Sequence, residues 1–212
     1  MKSADRSVNR WLWFILLLLL QMLYFPINRL ASDGVMLQTP LDSLIPLLPV
    51  FSIPYLLALP WWLGSLVWAA ARMPDPLYRT LVISAALTIL CGLLVYIFFP
   101  TYVARQPVEQ RGWASDLLRF VYSNDRTYNA FPSSHTYLTT LIFLFWWRWQ
   151  PRLRLLWGGI LVLILLSTLF TGQHTLPDLA SGVLLALVCS LAGSGISQIV
   201  GKTSSQGVNH ET

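Results

Sequence analysis

Six apolar runs dominate the chain and leave it few ways to fold. They cover Trp11–Ile27, Val50–Ala71, Thr80–Phe99, Pro132–Trp149, Leu155–Thr171 and Leu176–Val200. Each approaches the ~20 residues that a helix needs to cross a bilayer. Hydrocarbon offers the backbone no hydrogen-bond partners, so a spanning segment must satisfy its own. The runs therefore predict an all-α integral membrane protein: six transmembrane helices in a compact bundle, forming one domain over residues 1–200. The remaining stretch, 201–212, "GKTSSQGVNHET", reads as a disordered cytoplasmic tail. Composition agrees, with 55% hydrophobic residues, 11% charged residues and a mean hydropathy of +0.59. Those values lie outside the soluble globular range. Ten tryptophans and eight tyrosines supply the aromatic excess of membrane interfaces.

An even number of spans places both termini on one side. Lys2, Arg6, Arg10, Arg72, Arg79, Arg148, Arg152, Arg154 and Lys202 then share that side. Only Arg29, Arg105, Arg111, Arg119 and Arg126 face the other. The excess makes the termini cytoplasmic. It also gives the net charge of +5 a role in topology, with no nucleic acid partner required. Lys2, Arg6 and Arg10 ahead of a leucine run imitate a signal peptide, but no small-residue cleavage site follows, so a retained helix is expected. Pro54 and Pro60 predict a kink or a late start in the second run. Cys91 and Cys189 lie inside apolar runs and show neither metal-ligand nor redox spacing.

Four of the outer arginines fall in one stretch, 100–131, directly ahead of "YNAFPSSH". That clustering opposes the charge asymmetry; solvated loop surface is its simplest explanation, and a bound anion is the sharper one. The fourth span runs inward to "WWRWQPRLR", and the fifth returns to "TGQHTLPD". Spans of ~18 residues at ~1.5 Å per residue cover about 27 Å, close to the hydrocarbon thickness. His135 and His174 therefore reach the same outer level, together with Asp178. Ionisable groups at the ends of membrane helices are functional candidates.

Pro132 suits the first turn of a helix, where the leading N–H groups have no acceptor. With the helix dipole and the Ser133 and Ser134 hydroxyls they make an anion site, although the same residues also make an ordinary cap. His174 and Asp178 are four positions apart and share a helix face. A carboxylate there fixes the imidazole tautomer and stabilises charge that develops on the ring. Three chemistries use two histidines and an aspartate. A metal site lacks an HExxH-type motif, and the arginines would repel a cation. Serine hydrolysis, with Ser133 or Ser134 as nucleophile, lacks a GxSxG elbow. Phosphoryl transfer uses every feature without metal or cofactor: His174 attacks phosphorus, His135 protonates the leaving oxygen, and arginines and helix N–H groups hold the other oxygens. Arg105 and Arg126 are the candidates for phosphate contact. A loop salt bridge between Arg126 and Asp125 is the simpler role for the second.

"PSSH" followed by "STLFTGQHTLPD" resembles the second and third signature motifs of the type-2 phosphatidic acid phosphatase superfamily, approximately P-S-G-H and S-R-x5-H-x3-D. The resemblance covers about residues 95–190. It implies a six-helix membrane fold with His174 as nucleophile, Asp178 as its orienter and His135 as general acid. Ser133 and Ser134 would help to bind phosphate. The implied substrate is a lipid phosphate or phospholipid. With the termini cytoplasmic by charge, the expected setting is a bacterial inner membrane with the site facing the periplasm or exterior, or the lumen in a eukaryote. No oligomeric state follows. The stretch "TPLDSLIPLLPVFSIPYL" loosely resembles the start of an early helix in bacterial members and carries no chemistry.

This sequence departs from the family pattern at two places. Thr168 stands where the third motif has its arginine. The first motif, K-x6-R-P, is not intact: Arg105, Gln106 and Pro107 resemble its end with one residue inserted, and Phe98 takes the place of the lysine. Such relaxed motifs are similar to those of the relatives of inositol phosphorylceramide synthase and sphingomyelin synthase, which move a phospho-head group between lipids. A phosphodiester carries about one charge where a monoester carries up to two, so fewer cations suffice. A lipid hydroxyl replacing water as acceptor is therefore the alternative to hydrolysis. A non-catalytic binder or transporter of lipid phosphates is a third reading, favoured by Thr168 and the broken first motif.

Overall fold

The computed structural model describes residues 2–109 and 111–207, with side chains described between residues 10 and 200. Helices α1 (Lys2–Met22), α2 (Tyr24–Leu30), α3 (Ser52–Arg72), α4 (Asp75–Phe98), α5 (Trp113–Asn124), α6 (Ser134–Trp149), α7 (Arg154–Phe170) and α8 (Leu176–Gly207) make up most of it. Two short strands, β1 (Val35–Met36) and β2 (Thr101–Tyr102), and three single-turn 3-10 helices complete the order among the described residues.

Five segments are long and apolar enough to cross a membrane: Arg10–Leu30, Pro49–Arg72, Asp75–Phe98, Pro151–Phe170 and Leu176–Val200. The chain is thus a multi-pass, all-α membrane protein. The expected fourth span is α6, which has only 16 residues. At ~1.5 Å per residue that is about 24 Å, short of a ~30 Å hydrocarbon core. The Ser133 cap at one end and Gln150–Pro151 at the other set that length, and the first turn goes to Ser134, His135 and Thr136 instead of to apolar residues. The expected tail also differs in extent, because α8 continues to Gly207. Residues 208–212, with His210 among them, lie outside the described residues. The 100–131 stretch, read as a loop, contains the amphipathic helix α5.

α6 stands in the middle of the bundle, packed against α3, α4, α7 and α8. Tyr137, Phe145 and Trp146 are fully buried, as are Thr136 and Thr139. At the far end from the histidines, Trp68 packs with Trp146, Trp149 and Trp157. Small residues let the backbones approach, as is general where lipid removes the hydrophobic drive between helices. A Cβ on Gly182 of α8 would stand 2.9 Å from both the Ser133 carbonyl oxygen and Thr136 Cβ. A Cβ on Gly193 would stand 2.9 Å from the backbone nitrogen of Ser84 on α4. α8 is therefore pressed against α4 and against the start of α6 together.

The connections at the histidine end of the bundle are tied into a cap. β1 and β2 pair in parallel, Val35 opposite Thr101 and Met36 opposite Tyr102. Asn129 N–H donates to the Thr101 carbonyl at 2.7 Å, and Phe131 N–H to Thr101 Oγ1 at 2.9 Å. The segment that leads into α6 is thereby clamped on the strand that follows α4.

Candidate active site

Ser133 is the N-cap of α6, and its Oγ accepts the Thr136 N–H at 3.3 Å. The helix thus begins at Ser134, one to two residues later than the proline-led start suggested. Ser133 N–H donates to the Asp178 carbonyl at 3.1 Å, which joins the first turns of α6 and α8. The Ser133 hydroxyl is fully buried and used as a cap, whereas Ser134 lines a cavity together with His135.

α7 ends in a Schellman motif that turns the chain back toward His174. Gly172 has φ of +63°, and its N–H donates to the Leu169 carbonyl at 2.9 Å. Gln173 N–H donates to the Thr168 carbonyl at 3.1 Å. Those are the two bonds that define the motif, and glycine is the residue that meets the left-handed position without strain. His174 N–H also reaches the Thr168 carbonyl, at 3.2 Å. α8 follows with one half of a capping box: Asp178 Oδ2 accepts the Thr175 N–H at 2.7 Å, while Thr175 Oγ1 is buried without a partner.

His174 Nδ1 lies 3.0 Å from the Ala130 carbonyl oxygen and 3.6 Å from Asp178 Oδ2. A carbonyl only accepts, so Nδ1 carries the proton and Nε2 keeps its lone pair. The tautomer expected from Asp178 is thus set by Ala130, with the Asp178 carboxylate behind it as a charge partner. Asp178 is almost completely buried, at 1% exposure, which leaves it little solvent screening. The His135 and His174 ring centroids are 6.1 Å apart. His135 is itself stacked on Tyr55 of α3, and its Nε2 is buried without a partner.

Both histidines line one half-open cavity of about 600 Å³ between α1, α2, α3, α4, α5 and α6. Apart from Ser134, Gln21, Asp125 and the two histidines its walls are mainly apolar, with Leu59, Leu63, Leu81, Ala85, Leu138 and Ile142 among them. That volume falls within the range of ~300–1,000 Å³ typical of ligand sites. On the other side of His174 a polar recess of about 30 Å³ is lined by Asp42, Gln106 and Gly172.

A family model described as the PAP2 superfamily matches residues 21–192, more than half of the chain. The chain belongs to the PAP2 superfamily. No curated protein and no solved structure matches it. Membership supports a phosphoric ester hydrolase or phosphotransferase in general.

Set beside the PAP2 motifs, the two departures acquire a structural account. Thr168 is fully buried, bonds the Leu165 carbonyl through Oγ1 at 2.8 Å and supplies the carbonyl that anchors Gln173 and His174. It positions backbone and brings no charge. Phe98, in the lysine's place, is 79% exposed and can contribute none either. The remnant of the first motif does keep one cation, Arg105. Its guanidinium donates to the carbonyls of Tyr122 (3.2 Å), Asp125 (2.8 Å) and Arg126 (3.0 Å), and to Gln173 Oε1. It also lies over the Tyr122 ring, 4.6 Å from the centroid. Burial raises the Tyr122 hydroxyl above its ordinary pKa, with Arg105 opposing, so that hydroxyl stays protonated and donates to the Thr171 carbonyl at 2.8 Å. Arg126 points elsewhere, donating to the Arg29 carbonyl at 2.6 Å and lying over Tyr128. The Arg126–Asp125 salt bridge suggested by sequence is not formed among the described residues. Asp125 instead accepts from Tyr24 at 3.2 Å and from Tyr55 at 2.9 Å.

Sequence reasoning missed four residues at this site. Gln173 joins Arg105 to the residue preceding His174, and its Nε2 is buried without a partner. Asp42, in a stretch expected to carry no chemistry, accepts the Leu176 N–H at 2.7 Å through Oδ1 and so caps the helix bearing Asp178. Tyr55 and Trp62 pack on His135. Gly172 in "TGQH" is the local signal from which the Schellman turn could have been read. No local pattern announces a tyrosine stacked on a residue 80 positions away.

Proposed function

We propose that the chain cleaves a phosphate ester of a membrane lipid through a phosphohistidine on His174. The observation that carries this reading is the pairing of a tautomer-fixed histidine with a second histidine at the end of one apolar cavity. His174 Nε2 attacks phosphorus, the bond from phosphorus to the lipid oxygen breaks, and His135 gives that oxygen its proton. Asp178 offsets the positive charge left on the phosphorylated imidazole. In the second step water attacks, the phosphorus–nitrogen bond breaks, and His135 takes the water's proton. Ser134 and the first-turn N–H groups of α6 hold the phosphoryl oxygens, with Arg105 Nε and Gln173 Nε2, both buried without partners, as the remaining donors. The hydrocarbon part of the substrate lies in the cavity. No metal step is needed, and no three-residue cluster able to hold a metal occurs among the described residues.

With α6 as a short sixth span, both termini lie in the cytoplasm and the histidines face the periplasm or exterior. Head-group transfer to a lipid hydroxyl is favoured by one observation: the Asp125 carboxylate lines the same cavity as both histidines. A fixed negative charge there weighs against a dianionic monoester and less against a monoanionic diester. A panel of monoester and diester phospholipids, with and without diacylglycerol or ceramide as acceptor, separates the readings. Free phosphate released in EDTA means hydrolysis, and head-group transfer with little free phosphate means a transferase. Binding of these lipids without turnover of any would mean a carrier and defeat both enzymatic readings.

A further inference from the structure

A general acid works only within hydrogen-bond reach of its target, about 2.6–3.2 Å. Among the described residues no side-chain hydrogen bond fixes the His135 ring. Two aromatic faces hold it instead. The Tyr55 ring is stacked on it with centroids 4.2 Å apart and planes 18° apart. Trp62 approaches from another side, 4.8 Å away with planes at 59°.

Stacking orients an imidazole only as well as the stacking ring is itself held. Each of these rings is tethered at its polar end. Trp62 Nε1–H donates to Thr139 Oγ1 at 3.0 Å, inside the bundle. The Tyr55 hydroxyl donates to Asp125 Oδ2 at 2.9 Å. Asp125 is fixed in turn, because its Oδ1 accepts from Tyr24 at 3.2 Å and Arg105 Nη1 holds its carbonyl at 2.8 Å. Asn28 Nδ2 donates to the Tyr24 hydroxyl at 2.7 Å, which brings α2 into the same network. A hydroxyl donating to a carboxylate also enriches its ring in electrons. That improves the ring's contact with the charge that His135 acquires on taking a proton.

We propose that Asp125 and Tyr55 are positioning residues for His135, a relay in which the carboxylate fixes the tyrosine and the tyrosine ring aims the imidazole at the leaving oxygen. The proposal rests on the phosphoryl-transfer reading above and adds two residues that no PAP2 signature motif contains. It also gives the acidic group in the cavity a role that does not depend on which acceptor is used.

The test exploits leaving groups. A p-nitrophenolate departs without a proton, whereas an alkoxide does not. Wild type, Tyr55→Phe, Asp125→Asn and His135→Ala would be given the dodecyl and the p-nitrophenyl ester of whichever phosphate class wild type turns over. The first-turnover rate would be read, so that the second step does not mask the first. General acid catalysis is worth ~10²–10⁴-fold, and misaiming the acid removes part of it. Tyr55→Phe keeps the stack and loses the tether, and Asp125→Asn loses the charge. Each should slow the dodecyl ester about tenfold and the p-nitrophenyl ester less than about twofold, with KM little changed. In a His135→Ala background neither change should cost a further twofold, because positioning residues act through the group they position. Equal losses on both esters, or losses that add fully to that of His135→Ala, would overturn the relay while leaving the phosphohistidine reading intact. If wild type turns over neither ester, the phosphoryl-transfer reading fails first and the relay falls with it. Detergent melting curves accompany each variant, and a melted Tyr55→Phe leaves Asp125→Asn to decide.

Discussion

Gly182 stands where α8 crosses the first turn of α6, and substituting alanine there should separate the two histidines. The added Cβ would lie 2.9 Å from the Ser133 carbonyl oxygen and from Thr136 Cβ, and 3.1 Å from Thr136 Cγ2. Ordinary contact begins at 3.4 Å, so the helices must part by about 0.5 Å. Neither the carbonyl nor the Cβ can swing aside. The Ser133–Asp178 backbone bond of 3.1 Å lies at the same crossing and lengthens with it. Overpacking of this kind costs ~1–3 kcal/mol of stability. A misplacement of ~1 Å costs ~100-fold in rate, so half of that should cost about tenfold. Gly195, on the same helix, has nothing within 4 Å of its Cβ position. Alanine there should leave kcat unchanged and raise stability by up to ~1 kcal/mol, the usual gain over glycine in a helix. Turnover in detergent and the thermal unfolding midpoint, measured on both variants, give the comparison. A Gly182→Ala protein with wild-type kcat and midpoint would refute the claim that this crossing sets the histidine geometry.

Asp178→Asn should lower kcat by about 10–100-fold and no more, since the Ala130 carbonyl still fixes the His174 tautomer. A loss nearer 10⁴-fold in steady-state kinetics would instead make the carboxylate the sole orienter. Asp42→Ala removes the acceptor of the Leu176 N–H and should cost ~1 kcal/mol, read as a lowered unfolding midpoint. Arg105→Lys cannot reproduce a planar fork that reaches three carbonyls and Gln173, and should reduce kcat/KM about tenfold. Turnover should persist unchanged in EDTA, and its loss with recovery on adding a divalent ion would restore the metal reading.

The membrane fold was legible because six apolar runs leave a helical bundle as the natural solution, and their boundaries mostly fell within a turn of the observed helices. α6 was the exception in length: its polar first turn counts against a span and toward a site, and hydropathy sees only the first. His135, His174, Asp178 and Ser134 were legible as well, since motif spacing and span length return them to one level. Arg105 stood out as the remnant of a broken motif and a candidate for phosphate contact, but its three carbonyl partners depend on how α5 ends, which no local pattern states. Arg126 could not be placed, because an exposed loop arginine has several acceptors in reach and the Arg29 carbonyl belongs to a segment 97 positions away. Asp125 looked like a salt-bridge partner for its neighbour. The structure gives it to two tyrosines on α2 and α3, a choice made by tertiary packing alone.

Phosphohistidine survives alkali and is lost in acid, which makes the covalent intermediate directly observable. Purified wild type and His174→Ala would be mixed in EDTA with lipid carrying ³²P in the transferred phosphoryl group, quenched within one turnover and resolved after alkaline denaturation. Wild type should retain alkali-stable, acid-labile label, and His174→Ala should retain none and turn over no lipid. Turnover by His174→Ala at the wild-type rate, with no label on either protein, would contradict the phosphohistidine mechanism outright.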